Sequence, residues 1–372
     1  MLENIKHIID YISAPTISFT LLTLLFPLLF PPTDFFDKIN RKLRIYKIWT
    51  NPGGLILFSL ITGFFVLGYN DVNFKIILMK GDNFPIVLMI YSMFFFTWYA
   101  MKKSYINDAR IEKGEKPTEY HDPEDKVLVW PDLVYIELIA LILFMVFLIV
   151  WSILVQAPLE EPANPASTPN PSKAPWYFLG LQEMLVYYDP WLAGVVFPTL
   201  IILGMCAIPY MDINKKGDGY YSFKERRVGY FIFMYGWLVL WVYLIIIGTF
   251  FRGPNWNFFG PFEYWDPHKL VPLNNINLSE YFWVIGLGQP LPENILLRES
   301  LGFVLTGLYL FVLPVILAKT ILKNMYQAYG PTRFTFLMIL GLSMLSLPIK
   351  MYLRWIFNLK YIIGIPEWFF NI

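Results

Sequence analysis

The chain has 372 residues, of which 56% are hydrophobic, 19% aromatic and only 15% charged. A soluble fold of this composition would expose far more apolar surface than water tolerates, so the composition excludes a soluble protein and indicates a membrane protein. The net charge of +1 gives no indication of nucleic-acid binding, and we expect no nucleic-acid partner.

Eight apolar segments are long enough to cross a bilayer, since a hydrocarbon core of about 30 Å needs roughly 20 apolar residues in a helix. No strand-like alternation repeats through the chain, and backbone groups in lipid need internal partners. The sequence therefore predicts an all-α integral membrane protein, a bundle of about eight transmembrane helices. The predicted spans are 11–31, 53–69, 84–100, 133–155, 192–210, 229–250, 300–318 and 334–349.

The distribution of Lys and Arg predicts the orientation. If the N-terminus lies outside, the inner loops carry 19 of the 29 basic residues. These loops are 32–52, 101–132, 211–228 and 319–333. We therefore expect a multi-pass protein of the inner (cytoplasmic) membrane, with both termini and the 156–191 connection on the periplasmic side. The first span is expected to be retained rather than cleaved as a signal peptide.

Three sections follow from this pattern. Residues 1–129 form an N-terminal extension with about three transmembrane helices and a charged cytoplasmic linker, and residues 130–262 hold three further spans. Residues 263–372 add two spans and an aromatic tail. The single cysteine, Cys206, falls in the fifth span, where we expect a small buried apolar residue and no thiolate metal site.

The connection 157–190 carries the most information. It contains Pro-Leu-Glu-Glu-Pro-Ala-Asn-Pro at 158–165 and Pro-Trp-Tyr-Phe-Leu at 175–179. Trp130-Pro131 opens the helix before it, and an apolar helix with a break at Ile208-Pro209 follows it. In this order the segments resemble the C-terminal half of cytochrome b, or subunit IV, of cytochrome bc-type complexes.

The resemblance implies a subunit of a quinol–cytochrome c, or other acceptor, oxidoreductase of an electron transport (respiratory) chain, with 157–190 as the quinol-oxidising loop. In that family the loop ends in Pro-Glu-Trp-Tyr, whose glutamate is assigned as an acceptor of a quinol proton. Here the four residues are Ala174, Pro175, Trp176 and Tyr177, so a proline replaces the acid. Family members without this glutamate tend to use menaquinol, which makes menaquinone the favoured quinone.

A substitute acid is expected because quinol oxidation releases two protons and a general base nearby assists that step. Pro175 has a φ suited to the first turn of a helix, so a short helix is predicted to start there. On this helix Trp176, Gly180, Glu183 and Tyr187 fall at i, i+4, i+7 and i+11 and share one face.

This face predicts Glu183 as the proton acceptor, with Tyr177 as a hydrogen-bonding group beside the quinone. Pro175, Trp176 and Tyr187 are the further expected quinone contacts. Two simpler alternatives stay open. In the first alternative, Glu183 is a solvated charge on an outward face. In the second, Tyr177 merely anchors the segment at the membrane surface.

Glu137 is the candidate at a second, inner quinone site. It lies about a turn and a half into its predicted span, where an unpaired carboxylate is costly. The resemblance implies that the acidic residue six positions after the helix-opening proline, here Pro131, contacts quinone at the reducing site. The histidine that often precedes this proline is Trp130 here. The alternative is a glutamate that reaches back to cytoplasmic water.

Cytochrome b ligates two haems through four histidines on two helices, whereas this chain has three histidines, His7, His121 and His268, none in a predicted span. The resemblance therefore implies that haem b and a 2Fe-2S cluster belong to partner subunits. The expected partners are a haem-carrying N-terminal-half cytochrome b, a Rieske iron-sulfur protein, a cytochrome c-type acceptor and membrane lipid. The chain is longer than a usual subunit IV, and five extra spans have no counterpart.

The aromatic stretch 255–265 is expected outside the membrane, either as a docking surface for a Rieske domain or cytochrome c, or as an interfacial belt. Two other functions stay open. One is a structural membrane subunit with a degenerate quinol site. The other is a transporter, which the lack of an inverted repeat and of paired charges within the spans disfavours.

Overall fold

The computed structural model describes residues 2–121, 128–155, 162–213, 219–271 and 274–372. Helices dominate these residues, and the two strands among them are β1 (Gly364–Ile365) and β2 (Phe370–Asn371), which pair antiparallel. The prediction of an all-α membrane protein is confirmed.

The α-helices of the described residues follow one another with few long interruptions. In chain order they are α1 (Leu2–Ser13), α2 (Pro15–Leu29), α3 (Asp34–Lys42), α4 (Asn51–Tyr69), α5 (Val72–Leu78), α6 (Phe84–Glu112), α7 (Val134–Leu154), α8 (Leu179–Met184), α9 (Phe197–Met211), α10 (Arg227–Met234), α11 (Tyr243–Ile246), α12 (Leu278–Glu280), α13 (Ile295–Arg298), α14 (Ser300–Gly307), α15 (Leu313–Lys319) and α16 (Lys323–Phe357). Turns of 3-10 or π-helix join several of them into longer helices.

Seven helical segments of the described residues are long and apolar enough to cross a membrane, or eight if a bent pair counts as one span. The seven are Asn51–Tyr69, Gly81–Glu112, Val129–Leu154, Leu192–Met211, Lys224–Phe251, Ser300–Lys319 and Lys323–Phe357. The bent pair is α1 with α2, which meet at 75°. α2 covers most of the span expected at 11–31, whose first three residues belong to α1. Proline disfavours helical backbone in the residue before it, so the helix breaks at Ala14, ahead of Pro15.

The last span is longer than predicted. Residues 319–333 were expected to form a loop, but α16 begins at Lys323 and runs to Phe357. Within it Gly330 has a φ of 74°, a conformation that glycine adopts without a steric penalty, and Pro331 follows. The helical segment before this kink is explained by its Lys, Met, Gln and Ala residues, which are good helix formers.

The chain divides into two compact units. Unit 1 comprises Met1–Phe26, Asn170–Lys216 and Ile232–Ile372, and unit 2 comprises Pro27–Pro169 and Gly217–Phe231. Each unit combines segments that are distant in sequence, so the boundaries of the units differ from those of the sections 1–129, 130–262 and 263–372. The division into these three sections stays a prediction.

The interior of unit 1 is aromatic. The ring of Phe19 on α2 is fully buried and lies 5.7 Å from Tyr243, 5.9 Å from Tyr352 and 5.7 Å from Trp355. The hydroxyls of Ser18 and Tyr243 are 2.7 Å apart. These contacts pack α2 against the Lys224–Phe251 helix and α16, and they make α2 part of the helical bundle.

Four segments meet at one end of unit 1: α1, the 170–191 connection, the loop after the Lys224–Phe251 helix, and the C-terminal tail. The hydrogen bonds that join them pair Asn170 with Asn255, Asp189 with Tyr361, and Asp10 with the Phe262 N–H. The orientation predicted from Lys and Arg places the same four segments on one side of the membrane.

The basic connections of unit 2 also meet one another. The Asp108 carboxylate at the end of α6 accepts hydrogen bonds from the Ser222 hydroxyl at 2.6 Å and from the N–H groups of Phe223 at 3.1 Å and Lys224 at 3.0 Å. It thereby caps the start of the following helix. Within unit 2, Asp108 of the predicted inner loop 101–132 therefore contacts residues 222–224 of the predicted inner loop 211–228.

Two helices bury little of their surface in the chain. No residue of α7 is buried, and none of α9 is. Cys206 lies on α9 and is exposed, so the expectation of a buried cysteine is wrong. The reason is that α9 presents most of its apolar surface outward rather than into the bundle.

Candidate functional site

The proline-rich connection ends in a short helix. Pro175 has a φ of −51° and precedes a 3-10 turn, Trp176–Phe178, that continues into α8. The N–H groups of Tyr187 and Tyr188 then bond to the Met184 carbonyl, which extends the helical path. The prediction of a short helix beginning at the proline is therefore confirmed to within one residue.

Gln182 ties the loop to this helix. Its side-chain oxygen accepts the Ala174 N–H at 2.8 Å, and its side-chain nitrogen donates to the Ser172 carbonyl at 2.9 Å. Between these two residues, the Lys173 ammonium donates to the Thr249 carbonyl at 2.6 Å. The segment before Pro175 is thus fixed to α8 on one side and to the end of the Lys224–Phe251 helix on the other.

Two glycines allow α8 to lie close to that helix. A Cβ at Gly180 would stand 3.2 Å from the Ile245 side chain and 3.6 Å from the Trp241 carbonyl oxygen. A Cβ at Gly248 would stand 3.2 Å from the Leu179 carbonyl oxygen. The close contact places the buried face of α8 beside Arg252, the residue that follows the Lys224–Phe251 helix.

Glu183 lies at this contact and is fully buried. Its Oε1 accepts Arg252 Nη2 at 2.6 Å, and its Oε2 accepts Arg252 Nε at 2.9 Å. Oε2 also accepts the Trp256 indole N–H at 3.0 Å, and Oε1 accepts the Tyr187 hydroxyl at 3.3 Å. Four donors therefore surround one carboxylate. We call Glu183, Arg252, Trp256 and Tyr187 the carboxylate network.

The network compensates the buried charge. A carboxylate removed from water needs a paired cation and further hydrogen bonds, and a bidentate guanidinium provides the strongest form of this pairing. Burial alone would lower the pKa of Arg252, but the Glu183 carboxylate raises it above the ordinary arginine value. Burial raises the pKa of Tyr187 well above that of a free phenol, and Glu183 adds to the shift, so Tyr187 is a hydrogen-bond donor at neutral pH.

The turn that carries Trp256 has an unusual backbone. Asn255 has a φ of 56° and Trp256 a φ of 58°, the left-handed region that bulky side chains rarely adopt. Asn170 holds this turn, because its side-chain oxygen accepts the Asn255 N–H at 2.6 Å. The Trp256 carbonyl accepts Arg252 Nη1 at 2.9 Å. Strain of about 1–3 kcal/mol at such a residue persists only where its surroundings fix it, which is the case here.

The aromatic residues at the start of the short helix face outward. Tyr177 is 48% exposed and Phe178 is 50% exposed, while Trp176 is half-buried. Rings of adjacent residues are in contact, with centroids of Trp176 and Tyr177 5.6 Å apart. The Tyr177 hydroxyl has no hydrogen-bond partner among the described residues, so it is free to bond to a ligand.

The structure brings only some of the predicted site residues together. Glu183 and Tyr187 share a hydrogen bond, and the face that they share with Gly180 is buried. Tyr177 lies on the same short helix without a bond to Glu183. The alternative of a solvated Glu183 is wrong, because no part of its side chain is exposed.

Glu137 lies in the first turn of α7, in unit 2, and is exposed. It has no hydrogen-bond or ion-pair partner in the described part of the chain. Glu160 and Glu161 of the proline-rich loop fall outside the described residues.

The aromatic stretch 255–265 turns mostly inward. Phe259 and Phe262 are buried, and Trp256 bonds to Glu183, whereas Tyr264 is 68% exposed. Few residues of this segment are therefore exposed in the way that an interfacial belt requires. Within this segment the Phe258 ring contacts Phe251, at the end of the Lys224–Phe251 helix, with centroids 5.9 Å apart, and the Phe259 ring contacts Trp265 at 6.1 Å.

Sequence reasoning missed Arg252, Trp256 and Gln182. The available signal for Arg252 was an arginine directly after an apolar span on the side of the proline-rich loop, where a buried glutamate needs a cation. Trp256 and Gln182 carry no comparable signal, since their roles depend on backbone positions set by the fold.

The chain has three histidines, one fewer than the four ligands of a pair of bis-histidine haems. None of its three histidines lies in one of the seven spanning helices. Among the described residues, no group of three or more His, Cys, Asp or Glu side chains is arranged to hold a metal ion.

These features define an integral membrane protein whose site lies where a proline-rich loop and a short helix meet the ends of apolar spanning helices. Residues 162–261 match the family model described as cytochrome b (C-terminal)/b6/petD. The chain thus contains a C-terminal cytochrome b domain, of the kind also found as subunit IV, and is an electron-transport membrane protein. The matched segment includes the whole carboxylate network. No solved structure matches the chain.

Proposed function

We propose that the chain is a haem-free membrane subunit of a cytochrome bc-type complex and forms protein walls of its quinone sites. The observation that carries this proposal is the family match over 162–261, which spans the described part of the proline-rich loop, α8 and the carboxylate network. Because the chain has too few histidines for a pair of haems, a haem-carrying cytochrome b N-terminal-half subunit would complete the domain.

The proposed reaction is oxidation of a quinol to a quinone with release of two protons and two electrons. One electron would go to a Rieske 2Fe-2S cluster and the other to haem b, both on partner subunits, with a cytochrome c-type protein or another acceptor further on. The protons would leave on the side of the proline-rich loop, proposed to be the periplasmic side of the inner membrane. Menaquinol is the favoured substrate because the family's loop glutamate is absent.

Tyr177 is the residue proposed to meet the quinol. Its exposed hydroxyl without a protein partner supports a hydrogen bond to a quinol oxygen. Pro175 and Trp176 would flank the ring, with Trp176 in contact with the tyrosine. A phenol in this position orients the substrate and does not itself need to lose a proton.

Glu183 is the proposed proton acceptor, and its surroundings define what that role requires. Two bonds from Arg252 and bonds from Trp256 and Tyr187 occupy both oxygens of the carboxylate. Glu183 would therefore take up a proton only after the bond to Arg252 has opened, as a step that follows quinol binding. Glu137 is proposed for the inner quinone site, in contact with groups of a partner subunit.

The test is gentle purification of the chain from its native membrane, followed by an optical spectrum, identification of co-purifying proteins and extraction of bound quinone. The expected result is a four-histidine b-type cytochrome and a Rieske protein in the preparation, with haem reduced on addition of quinol. A preparation without b haem or any redox partner would refute the proposal.

A structural subunit with a degenerate quinol site is the second candidate. The observation in its favour is that all four donors around Glu183 belong to the protein, as in a purely structural ion pair. The two functions differ in the response of quinol turnover. If Glu183→Gln and Tyr177→Phe both leave turnover of the complex unchanged, the site is degenerate; loss of turnover with an intact complex supports catalysis.

A further inference from the structure

The N-terminal helix α1 has three distinct faces. Ile5, Ile8 and Ile12 stand at i, i+3 and i+7, which places them on one side of the helix. They are 41%, 57% and 44% exposed, so the remaining chain leaves this side uncovered. These exposed apolar side chains lie on a helix whose other residues are mostly polar.

The second face holds α1 to the protein. Asp10 accepts the Phe262 N–H at 2.8 Å, and the Lys6 ammonium lies 5.8 Å from the centre of the Phe262 ring. A Cβ at Gly260 would stand 2.5 Å from the Asp10 carboxylate, so the loop approaches the helix as closely as glycine permits. The third face consists of the exposed residues Asn4, His7 and Tyr11, at i, i+3 and i+7. Glu3, seven residues before Asp10, lies at the edge of the second face and pairs with Lys6 at 3.4 Å.

The direction of α1 follows from its neighbour. Aromatic and hydroxyl contacts pack α2 along the spanning helices of unit 1. α1 is bent by 75° from α2. Because α2 runs across the membrane, α1 lies nearly parallel to the membrane surface. A helix in this orientation with one apolar and one polar side matches the boundary between headgroups and acyl chains.

We propose that α1 lies in the membrane interface as an amphipathic anchor, with Ile5, Ile8 and Ile12 in contact with lipid and Glu3 and His7 in water. Lipid is the partner that fits because α1 lies parallel to the membrane surface. Its apolar side can then contact acyl chains along the whole helix while its polar side stays in water. The hydrogen bond that Asp10 accepts from the Phe262 N–H then holds the loop that carries Arg252 and Trp256 at the same depth in the membrane interface as α1. The proposal does not depend on the quinone chemistry.

The test uses spin labels on the full chain, within its native complex, in lipid nanodiscs. Cys206→Ser removes the exposed native thiol, and single cysteines are then placed at residue 12, on the apolar side, and at residue 7, on the polar side. We expect the ratio of oxygen to water-soluble nickel accessibility to be several-fold higher at Ile12→Cys than at His7→Cys. Ile5→Cys and Ile8→Cys are expected to follow residue 12.

Two results would overturn the proposal. Equal nickel accessibility at residues 7 and 12 would mean that α1 stands in water. Low accessibility to both reagents at residues 5, 8 and 12 would mean that a protein partner covers the isoleucines. The Cys206→Ser complex without further change, which should assemble and turn over as the parent does, is the reference for every variant.

Discussion

Replacement of Arg252 by methionine tests the carboxylate network most directly. The change removes two of the four donors from Glu183 and leaves a fully buried carboxylate without its cation. Removal of one partner of a buried ion pair costs about 3–5 kcal/mol, because the remaining charge stays out of water. We therefore expect Arg252→Met to lower the unfolding free energy by an amount in this range.

The companion variant is Glu183→Gln, which keeps the shape of the side chain and leaves Arg252 without a charged partner. Its single amide oxygen can accept from Trp256 or from Tyr187, which bond to different oxygens of the carboxylate. The variant should be destabilising by a comparable amount. In the double variant no charge is left buried, so most of the loss should be recovered. Titration with SDS in mixed micelles, followed by tryptophan fluorescence, gives the unfolding free energies of the three variants and the parent.

Additive losses of unfolding free energy would contradict an interaction between Arg252 and Glu183. If the losses from Arg252→Met and Glu183→Gln simply sum in the double variant, the two side chains do not interact. A loss below about 1 kcal/mol for Arg252→Met would likewise contradict a desolvated pair, since that is the usual value of an exposed one.

Three further predictions concern other parts of the chain. Tyr177→Phe should lower quinol turnover of the complex while the thermal unfolding temperature stays unchanged, because the lost hydroxyl has no protein partner. Gly180→Val should destabilise the chain by about 1–3 kcal/mol through overpacking, whereas Gly63→Val, with open space around its Cβ position, should not. Glu367, which accepts two bonds from Arg298, has a pKa lowered from 4.5 by that contact. Its contribution to holding the C-terminal tail is thus present above pH 4.5 and lost as the pH falls below it, which hydrogen exchange of the β1–β2 amides at pH 6 and pH 3.5 will measure.

The spanning helices were predictable from the sequence because each apolar run must satisfy its own backbone hydrogen bonds in lipid. The errors lie where local chemistry overrides hydropathy. The first three residues of the span expected at 11–31 belong to α1, which bends by 75° from α2 just before Pro15. Gly330 joins a polar helical segment to the last span through a kink. Hydropathy averages over such single residues and does not register them.

The site was predictable in part for a similar reason. Helical periodicity places Glu183 on one face with Gly180 and Tyr187 and needs no tertiary information, but it does not determine that this face is buried. The pairing of Glu183 with Arg252 joins residues 69 positions apart, and it depends on the close approach that Gly180 and Gly248 allow. A contact of this kind is determined by packing, which a single sequence does not specify. The left-handed turn at Trp256 is another such feature, since tryptophan does not signal it.

Glu183 and Glu137 place different demands on the rest of the complex. Glu183 finds its partners within unit 1, so its environment exists in the chain alone. Glu137 lies in the first turn of α7, within the helical segment Val129–Leu154 of 26 residues, none of which is buried. A carboxylate at the centre of such a helix would cost about 2.5–3.5 kcal/mol in lipid, and in the first turn, near the stacked rings of Trp130 and Tyr135, it reaches the interface at a smaller cost. Lipid alone therefore accommodates α7, and a quinone site at Glu137 requires groups from another subunit. The same substitution, glutamate to glutamine, should accordingly destabilise the isolated chain at 183 and leave it unaffected at 137.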